Sequence, residues 1–250
     1  TYLEQSGLIS AQPGVALPNH QTLMKVVDGP RSVAAGGEPI QLRFESPDGA
    51  AAGVKLIKTY TFTPGSYTIG VRHEVVNGSN ATIDPQLYLQ LVRDGSAPPG
   101  ESSLYFTFTG PATYTDAGKF RKIEFKHLDK NDADYERKAD NGWIAIVQHY
   151  FATAWLLRAP QQREFRAEKI GNNLYSVAMV LPLGQIAPGA SKTQDATLFA
   201  GPQEEHKLAA LAPGLELVKD YGWFTILAKP LFWLLTKLHG LIGNWGWAIV

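Results

Sequence analysis

A side-chain pattern of period two constrains this chain more than any other feature. In LIKTYTFTPGSYTIGVRHEVVNGSN, Leu56, Lys58, Tyr60 and Phe62 fall on one face and Pro64-Gly65 supplies a turn. Tyr67, Ile69, Val71, His73 and Val75 then alternate back until Asn77-Gly78. Successive side chains of an extended strand point to opposite faces, so this stretch is predicted as an antiparallel hairpin with one wet face. The pattern dominates from about His20 to Phe199, in IQLRFES, QLYLQLVRDG, SLYFTFTG, FRKIEF, GWIAIVQHYFATAWLL, NLYSVAMVLPLG and TQDATLFAG. Turn residues space these runs as in a sandwich, and no long helical period separates them. The expected fold is mainly β, with about a dozen antiparallel strands in two stacked sheets and an aromatic-rich interior.

At 250 residues the chain suits one large β domain or two smaller ones. Lys+Arg and Asp+Glu both total 23 with no block of like charge, which leaves no electrostatic footprint for nucleic acid or for an anionic membrane surface. The absence of Cys excludes disulfides, thiolate chemistry and cysteine zinc sites. The opening TYLEQSGLISAQPGVALPNH has no apolar signal-peptide core, so the chain reads as soluble or as an excised piece of something longer.

After Gly201-Pro202 the pattern changes. PQEEHKLAALAP has Pro at a first-turn position, early acids, and Leu208 and Leu211 on one side, which predicts a short helix stopped by Pro213-Gly214. The edge of the sandwich is expected near Phe199.

The final stretch, DYGWFTILAKPLFWLLTKLHGLIGNWGWAIV, carries four of the six tryptophans. On a helical wheel Thr225, Lys229, Thr236, His239 and Gly243 share a narrow side with Phe232. Trp223, Leu227, Leu231, Leu234, Leu238 and Leu241 cover the opposite side, flanked by Phe224, Leu235 and Ile242. Pro230 predicts a kink or a new helix start, because it lacks an N–H and disfavours helix at Lys229. Spanning a bilayer needs about 20 apolar residues, whereas Lys237, His239 and Asn244 interrupt this run. Lying in the interface fits better: Trp rings favour the headgroup layer and Lys229 and Lys237 can snorkel from it. Gly243-Asn244 reads as a stop, and the residues from Trp245 to Val250 as the first turns of a spanning helix.

Catalytic constellations are sparse. A sugar-converting reading needs a His and a Glu in one cleft, but adjacent His73 and Glu74 point to opposite faces of a strand. His149 is expected on a sheet face in a hydrogen-bonded packing role. The histidines do not group at metal-ligand spacing, and HLDKNDADYERKAD lacks the fixed glycine and terminal glutamate of an EF-hand and reads as a solvated loop. Lys119, Arg121 and Lys122, interleaved with Phe120 and Ile123, read as the wet face of an edge strand able to accept a partner strand. Tyr150, Phe151 and Trp155 read first as core aromatics and second as the lining of a shallow groove for an extended guest chain. No catalytic residue, cofactor or metal is expected.

The tail from Asp220 to Val250 resembles the segment of YidC, the bacterial inner-membrane insertase family, that joins its large periplasmic domain to its second transmembrane helix. QHYFATAWL, KTYTFTPGSYTIGVRHEVVNGS and FAGPQEEHKLAALAPGLELVKDYGW are similar to further YidC stretches in the same order. The resemblance implies a β-supersandwich related to galactose mutarotases over residues 1–200, a short helix and linker over 201–219, an amphipathic interfacial helix over 220–244 and the start of a transmembrane helix over 245–250. It implies an inner-membrane location with this domain on the periplasmic side, and an insertase and chaperone role for nascent membrane proteins, alone or with the Sec translocon. SecF is the implied contact. Relative to the family the chain starts inside the domain and stops before the hydrophilic groove and its arginine, so it is not expected to insert proteins by itself. The alternative from another class is a carbohydrate-binding or aldose-epimerase-like sandwich.

Overall fold

A computed structural model describes residues 2–12, 14–47, 53–97, 107–219 and 225–249, with side chains in the last segment described from Pro230. They form two antiparallel sheets. The five-stranded sheet has the order β1 (Tyr2–Ser10), β6 (Pro85–Asp94), β13 (Leu174–Pro182), β12 (Arg163–Gly171) and β9 (Lys138–Ala139). The nine-stranded sheet runs β2 (Lys25–Val26), β3 (Ile40–Glu45), β4 (Val54–Phe62), β5 (Thr68–Asn77), β14 (Ser191–Pro202), β11 (Phe151–Leu156), β10 (Trp143–Val147), β7 (Gly110–Thr115) and β8 (Lys119–Lys122). The expected hairpin forms with the expected turn, and its register pairs Leu56 with Val75, Lys58 with His73 and Tyr60 with Val71.

The sheets face each other across one apolar core. Leu8, Leu87, Leu89, Leu91, Val177 and Met179 come from the smaller sheet, and Leu56, Val71, Val75, Ile144, Ile146 and Trp155 from the larger. Burying such side chains contributes about 1.5–3 kcal/mol each, which makes this layer the main source of stability. Large aromatics are a minority of it, so the interior is more aliphatic than the sequence suggested.

A second core lies on the outer face of the larger sheet. β10 reads WIAIV and is buried throughout, because Ile144 and Ile146 point inward while Trp143, Ala145 and Val147 point outward. Ala152, Ala154 and Leu156 of β11 join the outward set, and Leu208, Leu215 and Val218 cover it. Those three belong to α2 (Glu205–Leu211) and to a 3-10 turn at Leu215–Val218. Trp143 Nε1 donates to the Pro213 carbonyl at 2.9 Å, and Tyr114 stacks on the Trp143 indole at 5.7 Å. Gly214 has φ 73°, and a Cβ there would meet the Tyr114 ring at 2.2 Å, so only glycine lets the covering segment come this close.

Several local expectations are corrected. β14 continues to Pro202, so this proline ends a strand and the helix starts at Glu205. Leu211 is 37% exposed and does not share the buried side of Leu208. Part of the expected acidic loop is helical, as α1 (Phe125–Lys130), whose Asp129 accepts from Lys169 Nζ and from the Tyr175 hydroxyl. The basic run does form an edge strand, β8, as expected.

Candidate functional site

The C-terminal segment is α3 (Thr225–Ile242) followed by α4 (Trp245–Ile249). Helix α3 is continuous, with Pro230 inside it, so no new helix begins at Lys229. The stop falls where expected. Gly243 takes φ 71°, its N–H reaches the His239 carbonyl at 2.7 Å, and Asn244 Oδ1 accepts from the Gly246 and Trp247 N–H groups at the start of α4. His239 stacks on Trp245 at 3.9 Å, which pins the two helices together.

Most of the described apolar side chains of this segment are exposed. Leu231, Leu234, Leu241, Ile242 and Trp245 are exposed, Leu241 at 86%, and Leu235 and Leu238 are half-buried. Trp233 is exposed as well, with Lys237 Nζ 6.0 Å from its ring centroid. Thr236 Oγ1 returns a hydrogen bond to the Phe232 carbonyl, so its hydroxyl leaves no unsatisfied donor on the helix. Trp223 and Phe224, and the side chain of Leu227, lie outside the described residues. Among the described residues no helix is long and apolar enough to cross a membrane.

The aromatics singled out in QHYFATAWLL separate. Trp155 is fully buried between the sheets, with its indole Nε1 3.4 Å from the Gln90 carbonyl. Tyr150 and Phe151 are 69% and 57% exposed at the β10–β11 turn, because that hairpin reverses over Gln148–Tyr150. The core reading holds for Trp155 alone, and the three do not line one groove. His149 sits in this turn rather than on a sheet face; its Nδ1 is hydrogen-bonded to Thr107 Oγ1.

His73 and Glu74 do diverge. His73 is fully buried between the sheets, where Nε2 lies 3.0 Å from Ser6 Oγ, and burial followed by the nearby Lys58 charge depresses its pKa to about 3. Lys58 Nζ donates to the Ser6 carbonyl at 2.6 Å; burial lowers its pKa while Glu4 opposes the shift. Burial raises the Glu4 carboxyl, with Lys58 opposing. This polar group ties β1 of one sheet to β4 and β5 of the other.

Glu74 faces outward into a trough of about 790 Å³ on the uncovered half of the larger sheet. Cross-strand rows build its floor: Gln41, Thr61, Gly70 and Thr197 in one, Arg43, Thr59, Arg72 and Asp195 in the next. Arg72 Nε bonds Asp195 at 2.8 Å. None of the trough's lining residues is a histidine. Among the described residues no group of three or more His, Asp or Glu could hold a metal.

A two-layer antiparallel sandwich, strapped on one outer face and followed by an apolar helix that no sheet covers among the described residues, is the class of domain these features define. The chain belongs to the YidC periplasmic domain family, whose model matches residues 1–234. It is 52% identical over 250 residues to the membrane protein insertase YidC of Janthinobacterium sp. (strain Marseille), covering 100% of this chain and 43% of that protein. It is 53% identical over 251 residues to the YidC insertase of Burkholderia thailandensis, covering 100% of this chain and 44% of that one. The chain thus spans less than half the length of these relatives. Among solved structures it is similar to a galactose mutarotase related enzyme from Lactobacillus acidophilus, with a TM-score of 0.45 and 12% identity over 71% of each chain. A galactose mutarotase-like protein from Lactobacillus casei aligns with a TM-score of 0.47 and 12% identity, over 71% of this chain and 73% of that one. At that distance neither bears on activity.

Proposed function

We propose that this chain is the periplasmic domain of an inner-membrane protein insertase, seated on the bilayer by α3, and that it assists insertion and folding of membrane proteins through protein contacts rather than catalysis. One observation carries the membrane seat: α3 leaves Leu231, Trp233, Leu234 and Leu241 exposed, and no acidic residue occurs from Thr225 to Ile249. Each of these side chains gains about 1.5–3 kcal/mol on full burial, so even partial immersion at the lipid–water boundary outweighs the restriction of one helix. The helix sequence supplies Lys229 and Lys237 as cations of the kind that snorkel to headgroups, and Lys237 is exposed.

Nascent membrane proteins and the Sec translocon, with SecF as the suspected contact, are the proposed partners. A role through contacts rather than catalysis is consistent with where the two strand histidines fall: His73 is sealed between the sheets and His149 lies in the hairpin turn, neither of them in the trough with Glu74. The test is co-sedimentation with liposomes. The unaltered chain pellets with them, and Leu231→Glu, Leu234→Glu and Leu241→Glu together abolish pelleting; unchanged pelleting of that variant would remove the membrane seat. Crosslinking from β8 to neighbouring inner-membrane proteins then identifies the partner.

A further inference from the structure

The β10–β11 turn carries two large aromatics that the sandwich does not use. Tyr150 and Phe151 are more than half exposed, and a third ring, Tyr67, is 49% exposed beside them. Strand pairing brings the three together: Phe151 is the register partner of Pro202, and the Tyr67 ring lies over Gly201, where a Cβ would meet it at 2.6 Å. All three therefore cluster at the end of the sheet where the chain leaves it for α2.

That end is also where α3 lies. Gln203 N–H donates to the Tyr150 carbonyl at 2.9 Å, and Gln203 Nε2 donates to the Gln148 and Phe151 carbonyls at 2.6 and 3.1 Å. Two residues further on, Glu205 and His206 line a groove of about 700 Å³ whose other wall is Phe232 and Trp233 of α3. The aromatic tip and the apolar helix thus bracket one four-residue stretch, Gln203–His206, and the tip is held to it by three hydrogen bonds.

We infer that Tyr150 and Phe151 form a second point of contact with the same bilayer surface, so that the sandwich rests on the lipid–water boundary by its hairpin tip as well as by α3. This inference rests on the membrane seat proposed for α3. The chemistry fits that boundary better than a dry protein interface. Tyrosine presents an apolar ring and a polar hydroxyl, the combination enriched at headgroup depth, and His149 packs edge-on against the Tyr150 ring at 3.9 Å to add a second polar edge. The turn itself carries no carboxylate from Val147 to Leu156, and in the adjoining stretch Glu204 is paired with Lys207 at 2.9 Å, so the rings descend without stranding a lone charge of their own.

The chain has no cysteine, so a single introduced one is labelled cleanly. Tyr150→Cys, Leu241→Cys and Thr193→Cys are each coupled to an environment-sensitive fluorophore and mixed with vesicles of phosphatidylethanolamine and phosphatidylglycerol carrying a lipid-borne quencher. Quenching at positions 150 and 241 but not at 193, which lines the trough, is the expected result. Quenching at 241 without quenching at 150 overturns the second contact and leaves the α3 seat standing, whereas no quenching at either overturns both. As a second measurement, the unlabelled chain with Tyr150→Ser and Phe151→Ser should keep its circular dichroism and lose vesicle affinity about tenfold, the effect of partial burial of two rings. An unchanged affinity in that folded variant overturns the inference.

Discussion

Lys58 and His73 sit opposite each other on paired strands, and both reach across the core to Ser6 of the facing sheet, one to its carbonyl and the other to its hydroxyl. A cation and an imidazole sharing one desolvated site hold the imidazole neutral.

The consequence is acid sensitivity with a defined sign. His73 titrates near 6.5 when unfolded and at about 3 when folded, so between those values the unfolded chain binds the extra proton. Stability from this group is present above pH 6.5 and falls as pH drops toward 3, by about 1.4 kcal/mol per pH unit at most. Urea midpoints of the wild type and His73→Gln, compared at about pH 7 and about pH 5, should show the wild type losing stability relative to the variant on acidification. Parallel loss in both would show that His73 does not carry the effect.

Lys58 is 7% exposed, donates to the Ser6 carbonyl at 2.6 Å, and its charge is favoured by the desolvated Glu4 carboxyl nearby. Lys58→Met leaves the buried Ser6 carbonyl without its donor and Glu4 without the nearby cation, and should cost about 1–3 kcal/mol. Adding Glu4→Gln should recover part of that cost. A double-mutant cycle by chemical denaturation reads the coupling, and strict additivity would mean that the two groups do not interact.

The strap on the outer face is a core in its own right. Leu208→Ala and Leu215→Ala should each cost about 2–5 kcal/mol, since both side chains are fully buried. Gly214→Ala should be as severe, through left-handed strain and collision with Tyr114. Thermal unfolding followed by tryptophan fluorescence checks all three, because Trp143 lies under the strap.

Vesicle binding through α3 should be mainly apolar. With Lys229 and Lys237 as the cationic side chains between Thr225 and Ile249, raising salt from low to physiological should weaken partitioning by less than tenfold. A steeper loss in a vesicle titration would point to a charge-driven contact.

The hairpin read from Leu56 to Val75 was legible to within a residue or two of its ends, because alternation and a Pro-Gly turn both specify it. β1 was not, since its buried stretch is Ser6-Gly7-Leu8, and nothing in a serine announces burial against a histidine from another sheet. β12 was hidden by Arg163, which is buried because carbonyls of Gln161, Gly142, Asp140 and Ala159 take up its guanidinium. The Tyr150 turn escaped notice because the reversal at Gln148–Tyr150 uses neither Gly nor Pro, so one apolar run concealed two strands. Helical spacing marked Leu231, Leu234 and Leu241, which are exposed, but not Trp233, and it grouped them with Leu238, which is half-buried; the trough, assembled from five separate strands, had no local signature.

The strap also fixes where this folding unit can be cut. A boundary drawn after the last strand would strip Leu208, Leu215 and Val218 from the floor made by Trp143, Ala145, Val147 and Ala154, and would leave a greasy plate open to self-association. Expression of any shortened version has to run through Val218 to stay monodisperse.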